Sequence, residues 1–227
     1  MLVHPASITF FLLFIPILLS ARISESSIFS RYIRTLRYRQ PVSFIATLTG
    51  SAIQRRLKQI PAEALLRGQR PVVRVFHRRH AGQVILVENV DPVFRKMFSL
   101  YNSYINLTGI YITSKGETWP VFSKSYSMKK VGVTGKAFIL KIRARHHAPG
   151  NYGIFAISRR TMMITHASFY SRGEKIYSIA IAYRFIGRYL LPFRMVIRRI
   201  RSGSSSRSAD IRFSSYRLNS RIPDNIF

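Results

Sequence analysis

The chain is 227 residues long and carries 37 Lys and Arg against 8 Asp and Glu, a formal net charge of +29, with 47% hydrophobic residues and no cysteine. That apolar content excludes a disordered basic tail and supplies enough surface for one sizeable core. The missing cysteines exclude a disulfide framework and a thiolate site, and the excess charge calls for counter-ions or a negatively charged partner.

Ala6 to Ala21 is sixteen residues without a formal charge, interrupted by Pro16. A full membrane span takes about 20 apolar residues and a signal-peptide core about 7–15, so this segment sits between the two. It reads as a membrane anchor, a cleaved targeting segment or an ordinary buried element. Phe10, Phe11, Leu12, Leu13, Phe14 and Ile17 are its membrane-contacting candidates. Arg22, Arg31, Arg34, Arg37 and Arg39 follow it. By the positive-inside rule an uncleaved segment leaves the basic bulk on the cytosolic side, with the mitochondrial matrix as the alternative.

Within 22–40, Phe29, Ile33, Leu36 and Gln40 keep helical spacing while Arg31, Arg34 and Arg37 share another side. This predicts a basic amphipathic helix, suited to a headgroup layer, resembling a transit segment, or serving as a linker. Ser51 to Arg67 is also helical, with Ile53, Leu57, Ile60 and Ala64 on one stripe and a break at Pro61.

From Pro71 the period changes to two. Strands are expected around Val73–Phe76, Val84–Val87, Tyr104–Thr113, Lys136–Arg145, Tyr152–Ser158, Met162–Tyr170 and Lys175–Ile186, separated by turn residues. Lys136–Arg145 is the clearest: Phe138, Leu140 and Ile142 alternate with Lys141, Arg143 and Arg145, giving one greasy and one cationic face. In Arg188–Arg201 the arginines Arg194, Arg198 and Arg201 stack at helical spacing, which favours a basic helix. The Ser/Arg stretch after it reads as a flexible tail.

The fold expected is therefore mainly β, an antiparallel sandwich or barrel of six to seven strands. Its organisation is a hydrophobic segment over 1–21, a basic helical region over 22–70 and a β-rich core over 71–187. A basic helix over 188–201 and a tail over 202–227 complete it.

Catalytic chemistry finds little to use. Glu88 and Asp91 flank a turn, where acids satisfy backbone or a neighbouring arginine. A zinc site built from His77, His80, His146 and His147 lacks a Cys or carboxylate at ligand spacing. No phosphate loop, dinucleotide fingerprint or nucleophile elbow occurs. The Asn106-Leu-Thr108 sequon lies in an expected strand. No enzyme activity, cofactor, metal or small-molecule substrate is expected.

The basic residues are more informative as a set. Arg55, Arg56, Arg78, Arg79, Lys129, Lys130, Arg143, Arg145, Arg159, Arg160, Arg194, Arg198 and Arg199 recur along the folded part, interleaved with aromatics. Guanidinium forks match phosphate oxygens and aromatic rings stack on bases, so these thirteen are the polyanion-binding candidates. In physical character the chain resembles a viral matrix or membrane-associated structural protein. That implies a non-enzymatic protein holding RNA, a ribonucleoprotein or an anionic membrane face, and able to self-associate. The alternative is an organellar, mitochondrial ribosomal or other RNA-binding protein with an N-terminal targeting segment.

Overall fold

A computed structural model describes residues 23–66, 68–79, 81–98, 118–146, 150–201 and 204–227. Helix α1 spans Glu25–Arg39 and leads into strand β1, Ser43–Thr49. Helix α2, Ser51–Leu57, follows at once, then the hairpin β2, Val72–Arg78, and β3, Gly82–Glu88. Helix α3, Trp119–Ser125, opens a meander of β4, Tyr126–Val133, β5, Ala137–Ala144, β6, Tyr152–Ser158, and β7, Ile164–Ser171. It continues through β8, Glu174–Ile186, β9, Tyr189–Arg201, and β10, Ser204–Leu218.

Among the described residues all ten strands belong to one antiparallel sheet, ordered β3-β2-β1-β10-β9-β8-β7-β6-β5-β4. The closing step is the pairing of β1 with β10, for example Phe44 opposite Leu218 and Leu48 opposite Phe213. It joins the N-terminal three strands to the C-terminal seven. A single open sheet with helices on one face replaces the expected six-to-seven-stranded sandwich or barrel. Register shifts, such as those between Ile45 and Thr47 and between Ala182 and Tyr183, bend the strands where they occur.

Two further expectations are corrected. Arg188–Arg201 is not a helix but contributes β9, where Met195 and Ile197 are buried and Arg194 and Arg198 exposed at period two. Pro192 pairs with Tyr183 beside the register shift that follows the Ala182–Arg194 pair, the kind of irregular position where a sheet tolerates proline. The supposed flexible tail is mostly β10, whose Ile211 and Phe213 are buried in the core. The final segment then folds behind β1–β3: Ile222 joins Ile45, Phe76 and Leu86 in a small outer cluster. Arg78 holds that segment through Asp224 (2.5 Å), the Ile222 carbonyl and the ring of Phe227.

The other face carries the main core in two parts. Under α2, Ile53, Ile60 and Ala64 pack with Phe44, Val73, Val75, Ile85, Val87, Phe98, Ile179, Met195, Ile197, Ile211 and Phe213. Gly50 makes the sharp entry into α2: its φ is +124°, and a Cβ there would run into the Asp210 carbonyl of β10. Under α1 lies the second part, described next. Phe169 and Tyr183 pack against both.

Candidate ligand-binding site beneath the first helix

Helix α1 starts at Ser24, whose hydroxyl accepts from the Ser27 N–H at 3.2 Å. Ile28, Phe29, Tyr32, Ile33 and Leu36 recur at three- and four-residue steps and all are buried. Facing them are Phe138 and Leu140 of β5, Phe155 and Ile157 of β6, Met163 and Ile164 at β7, and Phe122 of α3. The alternation of β5 seen in the sequence is what aims Phe138 and Leu140 at α1 and leaves Arg143 exposed on the opposite side. The stripe on α1 is thus spent on the protein's own sheet.

The fit is incomplete. A void of about 20 Å³ remains between helix and sheet, lined by Phe29, Tyr32, Phe122, Met128, Leu140, Ile142, Phe155, Ile157 and Ile164. Burial holds the Tyr32 phenol well above its usual range, as it does that of neighbouring Tyr183, so both stay neutral. Tyr183 donates to the Ile164 carbonyl at 3.0 Å. On the outer side of α1 an open groove of about 390 Å³ runs between it and α3, lined by Phe29, Ile33, Arg34, Arg37, Tyr38 and Trp119 among others. Phe29 borders both spaces. Its ring lies 4.5 Å from Phe122 and 5.6 Å from Trp119.

Polar straps hold the helix at each end. At the start, the Lys130 N–H donates to Glu25 Oε1 at 3.0 Å and Lys130 Nζ donates to the Ile23 carbonyl at 2.8 Å. The Lys130 backbone donor pulls the Glu25 carboxyl below its usual range, against a smaller burial effect. At the other end, Arg79 Nη2 donates to the carbonyls of Arg37, 3.0 Å, and Gln40, 2.9 Å. A cation on the last carbonyls of a helix also complements its dipole.

A polar patch interrupts the other half of the interior. His77 of β2 stands opposite Gln83 of β3 and stacks on Phe44 with ring centroids 4.8 Å apart. His77 Nδ1, both polar atoms of the Gln83 amide and Gln40 Nε2 are buried with no hydrogen-bond partner among the described residues. Burial, helped by the nearby Arg79 charge, lowers the His77 pKa to about 4, so the imidazole is neutral at pH 7.

The thirteen basic candidates do not form one face. They lie on α2, β2, β4, β5, the β6–β7 turn and β9, and several serve as caps within the fold. Arg56 donates to the Met97 carbonyl at 2.8 Å and Arg145 to that of Ser123 at 2.8 Å. Arg159 reaches the Thr134 carbonyl at 3.3 Å, and Arg194 makes a two-pronged pair with Asp210 at 3.1 and 2.8 Å. Arg79, Lys130 and Arg78 are occupied as described above. Arg55, Lys129, Arg143, Arg160, Arg198 and Arg199 point to solvent. The six membrane-contacting candidates, Phe10 to Ile17, and the expected strand Tyr104–Thr113 lie outside the described residues. Glu88 and Asp91 do not meet as a dyad: Glu88 pairs with Arg74 at 2.5 Å and Asp91 accepts from the Val93 N–H at 2.9 Å. Among the described residues no three His, Asp or Glu converge at metal-ligand distance. Among them, too, no helix is long and apolar enough to cross a membrane.

No protein-family model and no curated protein matches the chain. Solved structures do. The fold is similar to that of the LolA superfamily protein NE2245 from Nitrosomonas europaea, with a TM-score of 0.51 over 90% of this chain and 97% of that one, at 10% sequence identity. A DUF1329 family protein from Desulfovibrio piger gives 0.49 over 87% and 94%, at 12% identity. The class defined is a long antiparallel sheet with helices laid on one face, a LolA-like fold. This overturns the matrix-like reading together with its RNA, ribonucleoprotein and ribosomal variants. The physical reason is visible in the side chains: the cations are dispersed and partly spent as caps, while the helix thought to face headgroups covers an apolar interior. The expectation of no small-molecule ligand falls with it.

Proposed function

We propose that the chain is a binding protein for an apolar, lipid-like ligand, taken up between α1 and strands β5–β7. The observation that carries this reading is the void under α1, with its wholly hydrophobic and aromatic lining, beneath a helix held by packing and by polar straps near its two ends. Ligand sites are concave and mostly apolar, and the lining of this void is of that kind.

In the closed form the void has room for little more than one water-sized group, so a ligand must take over contacts that α1 now makes. Burying a large apolar side chain is worth about 1.5–3 kcal/mol, which puts the five on α1 at roughly 8–15 kcal/mol as an upper estimate. At about 0.8 kcal/mol per methylene, a single chain of roughly 10–18 carbons replaces them. Binding of this kind shifts α1 between a packed and a lifted position, and only a ligand that prefers the lifted one moves it. No step in which bonds are made or broken is assigned to the site.

The test is titration of the full chain with the uncharged probe N-phenyl-1-naphthylamine. Saturable fluorescence near one probe per chain is expected, reduced about tenfold or more by Ile157→Trp, which fills the void from β6. Fluorescence that rises without saturating, or that ignores the substitution, overturns the reading.

A further inference from the structure

We infer that the groove between α1 and α3 is the headgroup end of the same site and that it selects a single-chain anion. This rests on the apolar-ligand reading above. The groove is not a plain apolar furrow: Arg34 and Arg37 stand one helical turn apart along it, both exposed and neither in an ion pair among the described residues. Opposite them Trp119 and Pro120 supply an apolar wall, and Ser30 and Thr118 add hydroxyls.

The groove and the interior void share one residue, Phe29, and the rings of Phe29, Trp119 and Phe122 stand between the two spaces. A chain threaded past Phe29 lies among Leu140, Phe155 and Ile157, and its head is left beside the two guanidinium groups. Arginine presents a planar fork to carboxylate or phosphate oxygens, and the aromatic wall keeps water from one side of the contact. With eight acids in the whole chain, competition from the protein's own carboxylates is slight. Carboxylate and monoester phosphate heads share this chemistry.

The experiment compares hexadecanoate, hexadecyl phosphate and hexadecanoate methyl ester as displacers of N-phenyl-1-naphthylamine from the full chain. At least one anion should displace the probe about tenfold more tightly than the ester, and the tighter of the two identifies the head. R34E/R37E should erase that preference while leaving the ester within about twofold. R198E/R199E changes net charge equally outside the groove and should leave the preference intact. Equal binding of anions and ester, an equal loss for both in R34E/R37E, or the same loss in R198E/R199E overturns the inference while the apolar site stands. If neither the probe nor any of the three compounds binds, both readings fall.

Discussion

The two halves of the helix-bearing face solve the same problem differently. In the half under α2, the cover is joined to β1 by a tight turn at Gly50, and its Ile53 packs with buried side chains from both flanks of the sheet. In the half under α1, the cover is tied to distant strands, Lys130 on β4 and Arg79 just after β2, and the packing leaves room. Both covers lie next to β1 in sequence and both carry a remote polar tie, that of α2 running from Arg56 to the Met97 carbonyl; what marks α1 as the proposed lid is the void beneath it. The α2 half also holds buried polar atoms without a hydrogen-bond partner among the described residues, His77 Nδ1 and the Gln83 amide.

The largest effects should come from cutting into each half. Ile53→Ala and Leu140→Ala each remove a fully buried side chain, at an expected cost of about 2–5 kcal/mol in denaturant unfolding. The halves part company on adding an apolar ligand. Leu140→Ala enlarges a site that the ligand fills, so its midpoint should recover; Ile53→Ala should stay low, and recovery of both would erase the distinction.

Next in size is the acid response of the α2 half. His77 has a folded pKa of about 4 against an ordinary value of 6.5. The unfolded chain therefore binds the proton first, and the stability held by neutral His77 is fully present above pH 6.5 and lost as pH falls toward 4. The loss amounts to about 3 kcal/mol by linkage. H77F should flatten that part of the pH–stability curve; an unchanged slope would mean that the ring is not the group responding.

Smaller still is the strap at the start of α1. Glu25→Ala should cost about 0.5–1.5 kcal/mol, in keeping with one hydrogen-bonded group near the surface, yet speed probe uptake several-fold. Because the Glu25 carboxyl titrates below its usual range, the strap is intact above that range and is lost only as pH falls through the lowered value. Stopped-flow mixing of the probe with wild type and variant at pH 7 decides this; equal uptake rates would make Glu25 a surface residue and no latch.

Some of this was readable in the residues. The alternation of Phe138, Leu140 and Ile142 placed β5 and its inward face, and Phe29, Ile33 and Leu36 placed α1 and its buried stripe. What they pack against was not readable, because it depends on β10 pairing with β1, a contact between opposite ends of the chain. β1 itself escaped notice: both its faces are covered, so it lacks the clean alternation of a half-buried strand. β9 was misread because Pro192 and its bulge break the period and the arginines chance to fall at helical spacing. β10 hid behind Ser and Arg, since its inward face needs only Ile211 and Phe213 to fix it in the core. The basic pairs signalled charge but not use, for a guanidinium capping a carbonyl and one facing solvent look alike in sequence.

The most direct measurement uses Trp119, the single tryptophan of the chain, which stands at the aromatic boundary between groove and void. Energy transfer from Trp119 to a dansyl-labelled fatty chain should rise and saturate near one ligand per chain, and should weaken in Ile157→Trp once the added tryptophan's own signal is subtracted. Transfer that never saturates, or dansyl emission that saturates with Trp119 emission unquenched, would contradict entry beneath α1.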